Sequence, residues 1–179
     1  MQLTLETCVV RSWQLRDTAS LVAHANNRRI WENLRDRFPY PYLKSHGQDF
    51  IRRVLAAQTQ TSFAIDVGGD AVGGIGFMLH DDVERVSAEI GYWLGEAWWG
   101  RGICTEALRA VTGYAIEHHG LTRVFAVPYA HNTASQRVLE KSGYALEGRM
   151  RRSAVKDGVI VDQLLYAFVT PDQAQPPGI

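Results

Sequence analysis

The stretch that most constrains this chain is AEIGYWLGEAWWGRGICTEALRAVTGYA, residues 88–115. Residues 90–94 form an apolar run that reads as a strand, residues 95–99 as a short connection, and Gly100 onward as a helix. The helix carries a stripe at Ile103, Ala107, Val111 and Ala115, spaced four apart, with Glu106, Arg109 and Glu117 off it. Gly100-Arg101-Gly102 therefore sits at a strand-to-helix corner. There, free backbone N–H groups and the positive end of the helix dipole coincide. Glycines at such a corner let the backbone approach a ligand closely, which suits a phosphate.

Three nucleotide chemistries use that kind of corner. A phosphate-loop NTPase needs Gly-Lys followed by Ser or Thr, and the chain has no such run. A dinucleotide fingerprint needs a third Gly or Ala, then a carboxylate about 20 residues on. Here Thr105 stands at the third position, and the next strand, residues 123–127, runs into Pro128 with no carboxylate for a ribose. The context argues against NAD. Coenzyme A is the remaining candidate.

At that point the residues become specific. Trp98-Trp99-Gly100-Arg101-Gly102-Ile103-Cys104-Thr105-Glu106-Ala107 resembles the cofactor loop of the GNAT acetyltransferase superfamily. It is followed by Asn132-Thr133-Ala134-Ser135 and then Leu139-Glu140-Lys141-Ser142-Gly143-Tyr144. The combination is similar to the ribosomal-protein-alanine N-acetyltransferase (Rim-type) group. The opening Leu5-Glu6-Thr7 with Arg11 and Asp17 fits it, as does the closing Lys156-Asp157-Gly158 with Asp162. The resemblance spans residues 3–169. One departure stands out: the superfamily loop begins on a polar residue, and here that place is Ala97.

Composition sets the frame for this reading. Hydrophobic residues are 46% and charged residues 21%, an ordinary globular balance. The chain is expected to be one domain over residues 1–170 with a disordered Pro- and Gln-rich tail over 171–179. Net charge is zero, so nothing electrostatic favours nucleic acid or an anionic membrane as partner. No run is long enough to span a bilayer, and no basic-then-apolar leader opens the chain. Cys8 and Cys104 give no disulfide framework, so a cytoplasmic protein with reduced thiols is expected.

Along the chain, residues 5–12 read as a strand, and Asp17 as the cap of a helix to about Asn26. Residues 31–42 are aromatic and proline-bearing, either a packed surface loop or, as the resemblance implies, a wall of the acceptor cleft. Ser45 to Gln48 has the form of a capping box for a helix with Phe50, Ile51, Val54 and Leu55 inward. Residues 61–67 and 71–79 read as a hairpin turned by Gly68-Gly69-Asp70. Gly73, Gly74 and Gly76 in its second strand signal a bulge or a close backbone approach. After the central unit come a strand over 121–127 and a helix capped by Asn132 and ended by Gly143. Two strands joined at Asp157-Gly158 close the chain. The order implies an α+β fold on a mixed, largely antiparallel sheet with flanking helices. The resemblance adds that the one parallel strand pair is splayed.

Acetyl transfer to an amine needs a held thioester, a neutral amine, a polarised carbonyl and a proton for the leaving thiolate. The resemblance implies acetyl-CoA as cosubstrate and no metal. It assigns the pyrophosphate to backbone amides of Trp99, Gly100, Arg101, Gly102, Ile103, Cys104 and Thr105, and the pantetheine arm to the backbone of Tyr92, Trp93 and Leu94, paired as an added strand. An N–H near Trp93 or Leu94 is the candidate donor to the thioester oxygen. Glu89 is the candidate base, its alternative reading a charge at a strand start or in an ion pair. Freeing a lysine amine at neutral pH costs about 4 kcal/mol and an α-amine only about 1 kcal/mol, so an N-terminal acceptor leans little on a base. Many superfamily members place a tyrosine seven residues after the motif asparagine; here that residue is Leu139. The Rim-type alternative is Ser135 as donor to sulfur, with Asn132 holding pantetheine or loop. Locally, both residues also suit a plain helix cap and first turn.

The resemblance favours a protein N-terminal α-amine as acceptor. It leaves open a polyamine or aminoglycoside acceptor, a homodimer, and a non-catalytic acyl-CoA-binding protein. Cys104 has no histidine or base beside it in sequence, and the six histidines show no metal spacing. Arg149, Arg151 and Arg152 suit either an acidic substrate or a solvated strand edge.

Overall fold

The computed structural model describes residues 1–171; most of the expected tail lies outside the described residues. The elements are β1 (Gln2–Thr4), β2 (Val9–Ser12), α1 (Thr18–Ala25), α2 (Arg28–Trp31), α3 (Lys44–Ala56), β3 (Ser62–Val67), β4 (Asp70–Leu79), β5 (Ser87–Leu94), α4 (Ile103–His119), β6 (Arg123–Ala126), α5 (Thr133–Lys141), β7 (Ala145–Lys156) and β8 (Val159–Val169). The strands follow one another in the sheet as β1-β2-β3-β4-β5-β6-β8-β7. β5 and β6 run parallel, whereas β1–β2, β2–β3, β3–β4, β6–β8 and β7–β8 are antiparallel. The chain gathers into two compact units, one of Met1–Gly76 with Tyr92–Ala107, the other of Phe77–Gly91 with the chain from Leu108 on. β4, β5 and α4 pass from one to the other.

The first unit is built on Trp13, Leu21, Ala25, Tyr42, Ile51, Ala64 and Ala71, all buried, with Phe38, Phe50 and Trp93 packed against them. Trp13 meets Phe50 edge-on at 5.4 Å, and Phe38 meets Tyr42 at 4.9 Å and Trp93 at 5.7 Å. Such aromatic pairs gain quadrupole energy beyond their buried area. Phe38 and Tyr42 of the aromatic stretch over 31–42 are thus core packing, whereas Tyr40 is exposed. Gly73 explains itself by approach: a Cβ there would lie 2.5 Å from the Trp93 carbonyl oxygen. β3 and β4 meet with one register shift, at Ile65/Asp66.

Three expectations shift in this unit. Residues 5–12 are not one strand: the Leu5 amide turns back onto the Cys8 carbonyl at 2.9 Å, which separates β1 from β2. Asp17 holds the N-cap position of α1, as expected, but its side chain bonds elsewhere: it accepts the Gln14 amide at 2.8 Å and forms a two-pronged pair with Arg11, whose Nη1 and Nη2 donate to it at 2.7 and 2.9 Å. Arg11 Nε also donates to Asp66 at 2.8 Å, so one nearly buried guanidinium joins two carboxylates. Finally, α3 starts at Lys44 with Leu43 as its cap residue. His46 Nδ1, at the third helical position, accepts the Leu43 amide at 3.1 Å, so the box opens at Leu43 rather than at Ser45.

In the second unit the α4 stripe continues as expected: Val111 and Ala115 are fully buried, as are Ile103 and Ala107 in the first unit's part of the helix. Thr112 and Tyr144 share a buried hydroxyl hydrogen bond of 2.6 Å. Gly143 adopts φ +89° just past α5, and Asp157-Gly158 turn with φ +50° and +75°, both as the turn chemistry requires.

Candidate functional site

The strand-to-helix corner is built within the first unit. β5 ends at Leu94, a single 3-10 turn spans Glu96–Trp98, and α4 opens at Ile103. Gly100 and Gly102 take φ +76° and +79°, and nothing lies within 4 Å of where either would carry a Cβ. Only glycine holds that conformation without strain. The first bond of α4 runs from the Glu106 amide to the Gly102 carbonyl at 3.1 Å. The amides ahead of that bond lie in the first turn, where backbone N–H groups point out of a helix's N-terminus. The Trp99 amide donates to the Glu96 carbonyl at 3.1 Å, as the Trp98 amide does to the Gly95 carbonyl at 2.9 Å, so the Trp99 amide is engaged within the loop itself.

Side chains fix this corner from three directions. Trp99 Nε1 donates to the Leu94 carbonyl at 2.7 Å, closing the loop onto the strand that feeds it. Glu96 accepts from Asn27 Nδ2 at 2.7 Å and pairs with Arg29, whose guanidinium lies 5.1 Å from the Trp99 ring centre. Arg101 sits 4.9 Å over Trp98 and donates to the Ala97 carbonyl at 3.0 Å. The Ala97 position is therefore used through its backbone, which any residue type supplies. Beneath the loop, Glu106 accepts the Glu6 amide at 2.7 Å, the Thr7 amide at 2.9 Å and the Thr7 hydroxyl. Although some desolvation opposes it, these donors hold the Glu106 carboxyl below the usual range. Burial pushes the Cys104 thiol up to about 12, so it stays protonated and is no nucleophile at neutral pH.

Sequence reasoning missed the Asn27, Arg29 and Glu106 contributions. Glu106 gave a faint signal, a charge in the first turn of a helix just off its apolar stripe. Asn27 and Arg29 gave none, because their contacts cross 67–69 residues of chain.

Along β5, the ladder with β6 has three rungs, Ser87–Arg123, Ala88–Val124 and Glu89–Phe125. β5 then continues to Leu94 through Tyr92 and Trp93. Glu89 is half-buried on that last rung, on the opposite face from the buried Ala88 and Ile90. In the second unit, Asn132 caps α5, its Oδ1 accepting the Ser135 amide at 3.1 Å. The Asn132 oxygen is thus engaged as a helix cap, and Ser135 is half-buried in the first turn. Leu139 is wholly buried and offers no acid. Among the described residues no three His, Cys, Asp or Glu side chains come together as a metal site, and no helix is long and apolar enough to cross a membrane.

Residues 8–145 match the acetyltransferase (GNAT) domain family. A probable N-acetyltransferase of Bacillus subtilis, YjcK, is 42% identical over 89 residues, 50% of this chain and 49% of its own length. The chain thus spans about half of that relative. The uS5-alanine N-acetyltransferase of Escherichia coli is 34% identical over 180 residues, covering 96% of this chain and 92% of that one. Among solved structures, RimJ of Mycobacterium smegmatis in complex with a CoA-disulfide superposes with a TM-score of 0.80 at 25% identity, over 90% of this chain and 81% of that one.

Proposed function

This chain belongs to the GNAT acetyltransferase family, and from that premise we propose that it moves an acetyl group from acetyl-CoA directly to a primary amine, with a protein N-terminal α-amine the favoured acceptor. The observation that carries this reading is the corner itself. Two left-handed glycines with open space beyond them lead into the N-terminus of a helix, and side chains pin the loop on both flanks. Such a corner suits a pyrophosphate.

When bound, acetyl-CoA supplies an activated acetyl group as a thioester. The amides of Gly100, Arg101, Gly102, Ile103, Cys104 and Thr105 bind its phosphates, whereas Trp99 acts through its indole. The backbone of Tyr92, Trp93 and Leu94, past the last rung with β6, receives the pantetheine arm as a further strand. An N–H of Trp93 or Leu94 stabilises the developing negative charge on the thioester oxygen. Glu89 takes the proton from the amine as its nitrogen bonds to the carbonyl carbon. Ser135 gives a proton to sulfur as the carbon–sulfur bond breaks. Asn132 serves by fixing the turn that carries Ser135. We take residues 1–170 as one domain because β4, β5 and α4 run through both units, and we place the protein in the cytoplasm, where its two free cysteines stay reduced.

The acceptor assignment draws support from relatives named as ribosomal-protein acetyltransferases. The test is steady-state turnover of an N-terminal peptide beside coenzyme A binding. Glu89→Gln and Ser135→Ala are expected to lower turnover while binding of coenzyme A is kept. Full turnover in both variants overturns these roles, and binding without any turnover favours a non-catalytic acyl-CoA-binding protein.

A further inference from the structure

The hairpin of β7 and β8 carries a feature that acetyl transfer as such does not require. Between Met150 and Ala154 the β7 ladder breaks register, and Arg152 there holds φ +53°, a conformation that a long side chain rarely adopts. The bulge is held by Asp162 on β8. One carboxylate oxygen accepts the Arg152 amide at 2.8 Å, and the other accepts Arg149 Nε at 2.6 Å. Ser153 adds bonds of 3.0 Å to the Met150 carbonyl and to the Gln163 side chain. A non-glycine residue held in this region by several polar contacts is a local cost that structure maintains for a reason.

Its consequence is a pre-positioned guanidinium. Arg149 is anchored to Asp162 through Nε, and its side chain remains 62% exposed, so a ligand can reach its guanidinium. It borders an open cavity of about 430 Å³ whose other walls are Ala130, His131, Ile160, Val161 and Asp162. Arg151 and Arg152 are exposed on the same bulge. In a chain of zero net charge, three arginines stand here beside one carboxylate whose two oxygens are already engaged. The cavity also adjoins α5: the Ala130 amide donates to the Asp162 carbonyl at 2.9 Å, and Asn132 and Ser135 follow within five residues. A guanidinium beside the apolar Ala130, Ile160 and Val161, its neighbouring Asp162 already engaged, suits a carboxylate on a short aliphatic stem.

We propose that this cavity is an acceptor subsite that binds the carboxylate of an Asp or Glu side chain, so that the enzyme selects polypeptides with an acidic residue close behind the reacting α-amine. This rests on the acetyltransferase reading above and names its substrate class. Arg149 is the specificity-determining residue, and Asp162 orients it.

The test compares two hexapeptides, Ala-Glu-Asp-Ala-Gly-Ala and Ala-Gln-Asn-Ala-Gly-Ala, as acceptors for acetyl-CoA and as ligands in calorimetric titration. Free glutamate is run beside them as the small-molecule source of the same carboxylate. Wild type is expected to favour the acidic peptide about 10-fold in kcat/KM, carried by KM, a size set by one charge-assisted contact. Arg149→Gln should bring the ratio close to one, and Arg149→Lys should restore part of it. Thermal unfolding of each variant checks that the fold is intact. If Arg149→Gln does not fold, Asp162→Asn, which loosens the same guanidinium, reports in its place through the same ratio. Equal use of both peptides by wild type, or a ratio unmoved in the variants, overturns the subsite. Preference for free glutamate over the peptide overturns the polypeptide assignment. Arg149-dependent binding of the acidic peptide with no acetylation would retain the subsite and reject the transferase reading. Absence of both binding and acetylation rejects the two together.

Discussion

Substituting Gly102 by Ala separates backbone strain from ligand contact. Gly102 has φ +79° and open space around the missing Cβ, so Ala meets no protein atom there. The substitution costs only the left-handed strain of an L-residue, about 1 kcal/mol, which lowers Tm by roughly 2–4 °C in a chain of this size. Gly68, in the β3–β4 turn, has φ +65° and equally open surroundings, so Gly68→Ala carries the same strain away from the corner. The two variants should therefore unfold alike. They should part on coenzyme A. In Gly102→Ala the methyl group enters the space in which the phosphate meets the amides, and a lost amide-to-phosphate bond costs about 1.5–3 kcal/mol, or roughly 10- to 100-fold in Kd. Isothermal titration of wild type and both variants with coenzyme A reads this directly. If Gly102→Ala binds as wild type does, or Gly68→Ala weakens binding as much, the corner is not the phosphate site.

Other perturbations test the supports of the fold and the loop. Arg11→Met leaves Asp17 and Asp66 buried without their cation and should destabilise by about 3–5 kcal/mol in urea unfolding; an unchanged midpoint would show that the pair is solvated. Trp99→Phe keeps the ring but removes the 2.7 Å bond to the Leu94 carbonyl. It should raise the KM for acetyl-CoA severalfold at similar kcat, and a loss confined to kcat would refute a purely anchoring role. Glu106 and Glu147 have folded-state pKa values below their ordinary ones, Glu106 through donors from Glu6 and Thr7 against some desolvation, Glu147 through Arg123. Their stabilisation is complete above about pH 4.5, the unfolded value, and is lost as pH falls through the folded values. Glu106→Gln should accordingly flatten the acid limb of the stability profile, and an identical limb would discount the strap.

How far the sequence reveals this molecule depends on the range over which each determinant acts. The α4 stripe, the glycine corner, the Asp157-Gly158 turn and the Gly143 helix end are written in neighbouring residues, and each stands where local periodicity and turn chemistry put it. Residues 5–12 misled because Thr and Val favour a strand throughout, whereas the break after Thr4 rests on a local Leu5–Cys8 turn bonded to Glu106, some 100 residues on. The start of α3 misled because a histidine nitrogen took the accepting role at the third helical position that a glutamate or glutamine usually fills, which moved the cap from Ser45 to Leu43. At the site, Gly100 and Gly102 were legible and the Asn27–Glu96–Arg29 anchor was not, since nothing local marks a charge that pairs across the chain. Arg149, Arg151 and Arg152 could be seen as charges. The bulge and the Asp162 tether that give them direction could not.

Whether the chain acetylates protein N-termini is read by transfer from isotope-labelled acetyl-CoA into a cell lysate. Products are separated into protein and small-molecule fractions, and labelled protein is digested to locate the acetyl group. Label is expected on N-terminal α-amines and is expected to fall in Glu89→Gln and Ser135→Ala. Label confined to a small amine, or none despite measured coenzyme A binding, would contradict N-terminal acetylation.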